Sequence, residues 1–231
     1  AFANGSPEAR VRDVLKALNP RIRVDSIRPA PLPGFREVVA GGQVVYVSDD
    51  GKYLFQGGLL DIVQKKDMSE AALASVRGEV LKTLPLADRI VYSPVGAAKH
   101  KVVVLTDVEC GYCRKFHNEM AEYTKRGIEV QYLAFPRAGV GSPDYRKMVS
   151  VWCADDRRKA LTDAKNDRPV PARTCKTPVD MQHAAGLRMG LEGTPMILTT
   201  DGEFVGGYLP PDVLLQRMLQ IDAERAKPTS G

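Results

Sequence analysis

The 231-residue chain contains no apolar run of membrane-spanning length; unbroken stretches such as Val102 to Leu105 are only a few residues long, against about 20 for a spanning helix. It has one tryptophan and three histidines, and none of His100, His117 and His183 stands in a nucleophile–base spacing with a serine or cysteine. Lysines and arginines are scattered, and no basic run is interleaved with aromatics. With a formal net charge of only +5, nucleic-acid binding is not expected. Internal repeats and low-complexity segments are also missing. The first six residues lack a basic region followed by an apolar core, so either no leader was present or the sequence is that of a processed chain. What remains is 44% hydrophobic and 26% charged, a composition that can bury a core in one large or two small domains.

Cysteine is scarce but unevenly placed. Of four residues, two form Cys110-Gly111-Tyr112-Cys113, where the β-branched run Val102 to Val108 gives way to a helical pattern with Cys113, Phe116, Met120 and Tyr123 on one side. A cysteine opening a helix faces unpaired backbone N–H groups and the positive end of the dipole, which favour thiolate over thiol. The second cysteine, one turn deeper, is placed to close a small disulfide loop. The same spacing occurs in zinc sites, but zinc here would need further ligands from Cys153, Cys175 or His117. Covalent haem attachment needs histidine after the second cysteine, and position 114 is arginine. No metal and no cofactor is expected. Cys153 and Cys175 are buried thiols in a reducing compartment or a structural disulfide in an oxidising one. The polar segment Ala154 to Thr174, which reads as an exposed, weakly packed excursion, favours the disulfide.

Hydrophobic periodicity organises the rest. Ser6-Pro7 caps a helix whose apolar stripe is Val11, Val14, Leu15 and Leu18. Five short β-type segments come next, 22–28, 35–40, 43–48, 52–56 and 59–63, with Gly41-Gly42 and Asp49-Asp50-Gly51 as turns. This α+β unit has a thin core and strand edges that invite pairing between copies. Asp67 and Glu70 form a capping-box pattern before a helix with Leu73, Val76, Val80, Leu81 and Leu84 on one side and Glu70, Arg77, Glu79 and Lys82 on the other. It reads equally as a spacer or as a helix packed on the next domain. From about residue 86 the order is strand (100–108), cysteine turn, helix, strand (128–135), a long helical stretch, a hairpin (196–206) and a final helix (211–226). Gly193-Thr194-Pro195 opens the hairpin.

That order, with Cys110-Gly111-Tyr112-Cys113 and Gly193-Thr194-Pro195, resembles the thioredoxin fold, in which the Thr194–Pro195 bond is cis and lies against the cysteines. Over nearly its full length the chain is similar to the DsbC/DsbG family of periplasmic disulfide isomerases. The likeness is carried by Tyr46 to Lys52, Thr106-Asp107 before the cysteine turn, Tyr132 to Arg137, Trp152-Cys153-Ala154 and Gly193-Thr194-Pro195. Gly111, where the DsbG branch has proline, favours the DsbC side.

The resemblance implies a two-domain α+β and α/β protein. Residues 1–65 would form a cystatin-like dimerisation domain, 66–85 a linker helix, and 86–231 a thioredoxin-like catalytic domain with a helical insertion at about 137–192. Cys110 and Cys113 would be catalytic, Gly111, Tyr112, Thr194 and Pro195 would line the site and contact substrate, and Cys153 with Cys175 would form the structural disulfide. The homodimer would reshuffle non-native disulfides of misfolded periplasmic proteins, act also as a chaperone, and be kept reduced by the membrane thiol reductase DsbD. A dimeric holdase with secondary cysteines is the other reading. Many thioredoxins carry a buried acid six residues before the first cysteine; here that position is Val104, so resolution of the mixed disulfide would lack its proton acceptor. Glu109, Arg114 and Lys115 read as ordinary solvated charges, and His117 as a surface or half-buried helix residue.

Overall fold

The computed structural model describes residues 5–228; the opening segment, read above for a leader pattern, falls outside it up to residue 4. The chain divides into two units. One comprises residues 1–83 with 187–191 and 201–203, the other 84–186, 192–200 and 204–231.

In the first unit, Ser6 accepts from the Ala9 N–H at 3.2 Å and starts α1, Pro7–Leu18. Val11 and Leu15 of its stripe are buried with Val38 and Val47, while Leu18 is exposed because the helix ends there. A four-stranded antiparallel sheet in the order β1-β2-β3-β4 is built from Val24–Pro29, Phe35–Ala40, Gln43–Ser48 and Leu54–Gln56. A hairpin of β5, Leu60–Asp61, and β6, Lys66–Asp67, comes after it. Asp67 then caps α2, Met68–Lys82, by accepting from the Glu70 N–H at 2.9 Å. This helix packs on β2, β3 and β5 of its own unit. Arg77, assigned to the polar face by periodicity, is buried and paired with Glu70 at 2.6 Å, because both faces of α2 have neighbours.

The second unit centres on a five-stranded sheet in the order β11-β10-β8-β9-β7. Its strands are β7, Ile90–Tyr92; β8, His100–Thr106; β9, Ile128–Ala134; β10, Met196–Thr199; and β11, Phe204–Gly206. Only β8 and β9 are parallel; they are joined by α3, Gly111–Asn118, and α4, Met120–Lys125. Such a crossover places a helix on the sheet face. The central strands are buried on both faces, which is why Val102 to Leu105 reads as an unbroken apolar run rather than an alternating one.

Three helices come after β9: α5, Pro143–Trp152; α6, Arg157–Lys165; and α7, Val179–Arg188; and α8, Pro211–Arg225, closes the unit. The segment between Cys153 and Cys175 is only in part the exposed excursion its polarity implied: residues 166–175 carry no helix or strand and are exposed apart from Val170, but the first half is packed. Within it, α6 buries Ala160, Leu161 and Ala164 against the sheet's core. Buried Gln182 on α7 accepts from the Ala134 N–H at 2.8 Å and donates to the Asp88 carbonyl at 2.9 Å, satisfying the end of β9. Gly186 allows α7 to approach Phe135; a Cβ there would lie 2.5 Å from the ring.

Candidate active site

The site forms where β8 ends. Thr106 and Asp107 leave the strand, and Cys110 becomes the N-cap of α3, with its carbonyl accepting from the Arg114 N–H at 2.9 Å. The Cys110 sulfur is therefore held at the positive end of the helix. Across from it, the Thr194–Pro195 peptide is cis, and the Thr194 carbonyl accepts from the Cys110 thiol at 3.3 Å. Both cysteines are free thiols. Cys110 is only 4% exposed and Cys113 1%, so neither sulfur stands open to solvent; the Thr194 segment covers the mouth of the helix.

The two thiols are driven in opposite directions. Burial works against the Cys110 thiolate, but hydrogen bonding from the N–H and thiol of Cys113 and the positive charge of Arg137 favour it, and the thiol is brought below its ordinary value. For Cys113 burial dominates and raises the thiol above it, against the opposing pull of Lys165, Asp107's backbone, Thr194 and Thr106. One sulfur is thus driven towards thiolate and the other towards thiol, an asymmetry that suits thiol–disulfide exchange.

Charged groups around the turn are paired, not simply solvated. Asp107 is fully buried and accepts from the Glu109 N–H at 2.8 Å, the Arg137 N–H at 3.0 Å and the Arg137 guanidinium at 2.8 Å. Arg114 donates to Asp167 at 2.8 and 2.9 Å, to Glu109 at 3.1 Å and to the Val108 carbonyl at 2.8 Å. Glu109 also pairs with Lys147. Its charge is consumed by two cations, so it does not oppose the Cys110 thiolate as an isolated carboxylate would. Replacing Arg137 with methionine leaves buried Asp107 without its cation. Because Arg137 is half exposed, the expected loss is about 2 kcal/mol, below the range for a wholly buried pair, read by urea unfolding. In the same variant the midpoint of Cys110 alkylation against pH should move up.

Tyr112, between the cysteines, is 63% exposed and lies beside Tyr208, ring centroids 5.8 Å apart. The Tyr208 hydroxyl donates to Glu119 at 2.8 Å, and Lys115 sits over its ring at 4.9 Å. Tyr208 is a site neighbour that sequence reading missed, since nothing in its local sequence distinguishes it. His117 is buried, with its ring nitrogens on Tyr132 Oη at 3.1 Å and Thr162 Oγ1 at 2.8 Å. Burial and the nearby Lys165 charge push its pKa down to about 3, so it is neutral at physiological pH. Cys153 and Cys175 are bonded to each other, Cα atoms 5.8 Å apart. All three residues on which a zinc reading would draw are therefore engaged elsewhere. Gly111 and Gly193 have open space around their Cα atoms.

Comparison with known proteins agrees with this geometry. Residues 2–70 match the disulfide bond isomerase protein N-terminal domain, and residues 95–222 match a thioredoxin-like domain. The thiol:disulfide interchange protein DsbC of Escherichia coli K12 is 37% identical over 213 residues, covering 91% of this chain and 86% of that protein. DsbC of Dickeya dadantii is 34% identical over 225 residues, covering 97% and 90%. The crystal structure of a disulfide interchange protein from Neisseria gonorrhoeae superposes with a TM-score of 0.51 at 29% identity, covering 58% of this chain and 98% of that one. With a cysteine pair at a helix mouth, a cis-proline segment against it, and full-length likeness at this identity, the chain belongs to the DsbC family of thiol:disulfide interchange proteins.

Proposed function

We propose that the protein is a disulfide isomerase in which Cys110 is the nucleophile and Cys113 the resolving thiol. The Cys110 thiolate attacks a sulfur of a non-native disulfide; that S–S bond breaks, a mixed disulfide forms, and the released substrate sulfur leaves as thiolate. Another substrate thiol then displaces Cys110 and leaves a rearranged disulfide, or Cys113 attacks Cys110 and releases reduced substrate. The observation that carries this reading is a pair of free thiols one helical turn apart, the first at the N-cap of α3 with the Thr194 carbonyl 3.3 Å from its sulfur.

Gly111, Tyr112, Thr194 and Pro195 are the proposed substrate contacts. Tyr112 offers an exposed aromatic face, and the backbone at Thr194 can meet an extended chain alongside Cys110. The test is refolding of a scrambled multi-disulfide protein in a defined redox buffer. Recovery of native disulfides at a rate no better than buffer alone would sink the proposal.

We further infer a homodimer formed through the N-terminal unit, with residues 1–65 as the pairing module and the helical segment 66–85 following it. Support comes from its edge strand β4 and from the apolar side chains left in solvent beside and after it. Tyr53, Leu60, Ile62 and Val63 are 63–88% exposed, a liability unless covered. Sedimentation of the whole chain decides it; a monomer at micromolar concentration would count against the inference. A periplasmic location, reduction by the membrane thiol reductase DsbD, and chaperone action on misfolded clients complete the proposal. If Cys110→Ser/Cys113→Ser still suppresses aggregation of a cysteine-free client, the chaperone part stands; if suppression disappears, it falls.

A further inference from the structure

Val104, where a buried acid would stand in many thioredoxins, is fully buried and apolar, yet the space behind Cys113 is not without a proton-carrying group. Lys165 ends α6 and turns inward, only 2% exposed. Its Nζ donates to Thr106 Oγ1 at 2.7 Å and lies 5.5 Å from the centre of the Tyr132 ring. The acids of this region are committed to arginines, Asp107 to Arg137 and both Glu109 and Asp167 to Arg114, and none of the ion pairs among the described residues includes Lys165. A buried ammonium supported by one hydroxyl and one aromatic face is under-neutralised, which favours the neutral amine until an anion forms beside it.

The missing negative charge can come from Cys113. The Thr106 hydroxyl that receives Lys165 also faces the Cys113 sulfur. Helices α3 and α6 pack together, tied by His117 to Thr162 at 2.8 Å and by Arg114 to Asp167 at 2.8 Å. Lys165 therefore has a fixed place beneath the cysteine turn.

We propose that Lys165 is the proton acceptor for the buried thiol of Cys113, acting through the Thr106 hydroxyl as a positioning residue in the resolution step. The inference rests on the roles proposed for Cys110 and Cys113. As the mixed disulfide is resolved, the Cys113 S–H proton passes to Thr106 Oγ1 while the Thr106 proton passes to the neutral Lys165 amine. This leaves a thiolate beside an ammonium. The thiolate electron pair forms the Cys113–Cys110 bond, the Cys110–substrate S–S bond breaks, and its electron pair leaves on the substrate sulfur, which takes a proton from solvent. The cysteine pair is oxidised and the substrate disulfide reduced. Lys165, now without a neighbouring thiolate, returns its proton to solvent.

The titration of the surroundings fits this role. Burial pulls Lys165 down, thiolate at Cys113 and at Cys110 and the charge of Asp107 offset part of that, and the balance stands at about 8, so that without the thiolates the amine is more readily neutral. The other groups facing it do not compete near neutrality. His117 is held neutral, burial raises the Tyr132 hydroxyl well above its usual value, and Arg114 and Asp107 are ion-paired, with Asp167 and with Arg137.

The test uses Lys165→Met, which fills the same space without the charge. In a Cys110→Ser background, thiolate absorbance should place the Cys113 pKa higher by about one unit, and with Cys110 present, release of glutathione from its mixed disulfide at pH 7 should slow about ten-fold. Formation of that mixed disulfide should change far less, since Cys110 draws its thiolate character from Cys113 and Arg137. A folded Lys165→Met protein with an unmoved Cys113 pKa and unmoved release would overturn the inference, while activity surviving in Cys110→Ser would instead overturn the exchange mechanism beneath it. Should Lys165→Met not fold, 13Cε-lysine NMR of the unsubstituted chain decides. One lysine should titrate at lower pH in the oxidised than in the reduced protein, and identical midpoints for every lysine would refute the proposal.

Discussion

Replacing Cys110 with serine is expected to lower the rate of disulfide rearrangement in a scrambled substrate by on the order of 10³-fold or more, to the background of the redox buffer. Serine keeps the size and can still donate to the Thr194 carbonyl, but at neutral pH its hydroxyl is almost wholly protonated, and an oxygen cannot form the mixed disulfide. What lowers the Cys110 thiol acts on that one sulfur: the helix mouth, the Cys113 N–H and Arg137. The fold should survive, since no core contact is lost, and the circular dichroism spectrum and urea midpoint of the variant should stay close to those of the parent.

The second large effect concerns stability. Substituting both Cys153 and Cys175 with serine removes a bridge spanning 22 positions and is expected to cost about 3 kcal/mol in the chain-entropy account, measured by urea unfolding with Cys110 and Cys113 kept reduced in both proteins. The bridged segment contains α6, which carries Thr162 and Lys165 and is followed by Asp167. These are the partners of His117, Thr106 and Arg114. Loosening it should therefore reach the active site, and turnover should fall at temperatures where the variant is still folded. A loss below about 1 kcal/mol, outside the usual range for a native bridge of this length, with unaltered turnover would mean that α6 is held by its buried Ala160, Leu161 and Ala164 alone.

Much of the fold was legible from local chemistry. Ser6-Pro7 and Asp67 with Glu70 are capping signals that act within four residues, and both helices start where those signals stand. The Gly41-Gly42 turn links β2 and β3 in register from Phe35↔Ser48 to Ala40↔Gln43. Val102 to Leu105 announced a strand, which the fold buries on both faces. Less legible was whatever depends on partners distant in sequence. The polarity of Arg77 pointed it to solvent, but Glu70 receives it in a buried position. Arg157 to Lys165 has the composition of a surface helix, and only the packing of its alanines and leucine on the sheet reveals which side faces inward.

The site divides in the same way. The cysteine turn and Gly193-Thr194-Pro195 were paired by the resemblance to the thioredoxin fold, and each sits at the end of a central strand. Asp107 and Arg137 are 30 residues apart and meet only because β8 and β9 run parallel and end together. Lys165 and Tyr208 gave no signal at all in a linear reading. One is a lysine on a polar helix and the other a tyrosine in a turn, and each acquires its role from the tertiary fold alone.

The most direct measurement is acid quenching of the reduced chain during its first turnover with a scrambled disulfide substrate, and then peptide mapping of the trapped mixed disulfides. The account predicts that the substrate sulfur is carried on Cys110, with Cys113 appearing only in the internal Cys110–Cys113 disulfide. Adducts carried mainly on Cys113, or shared evenly between the two, would contradict it.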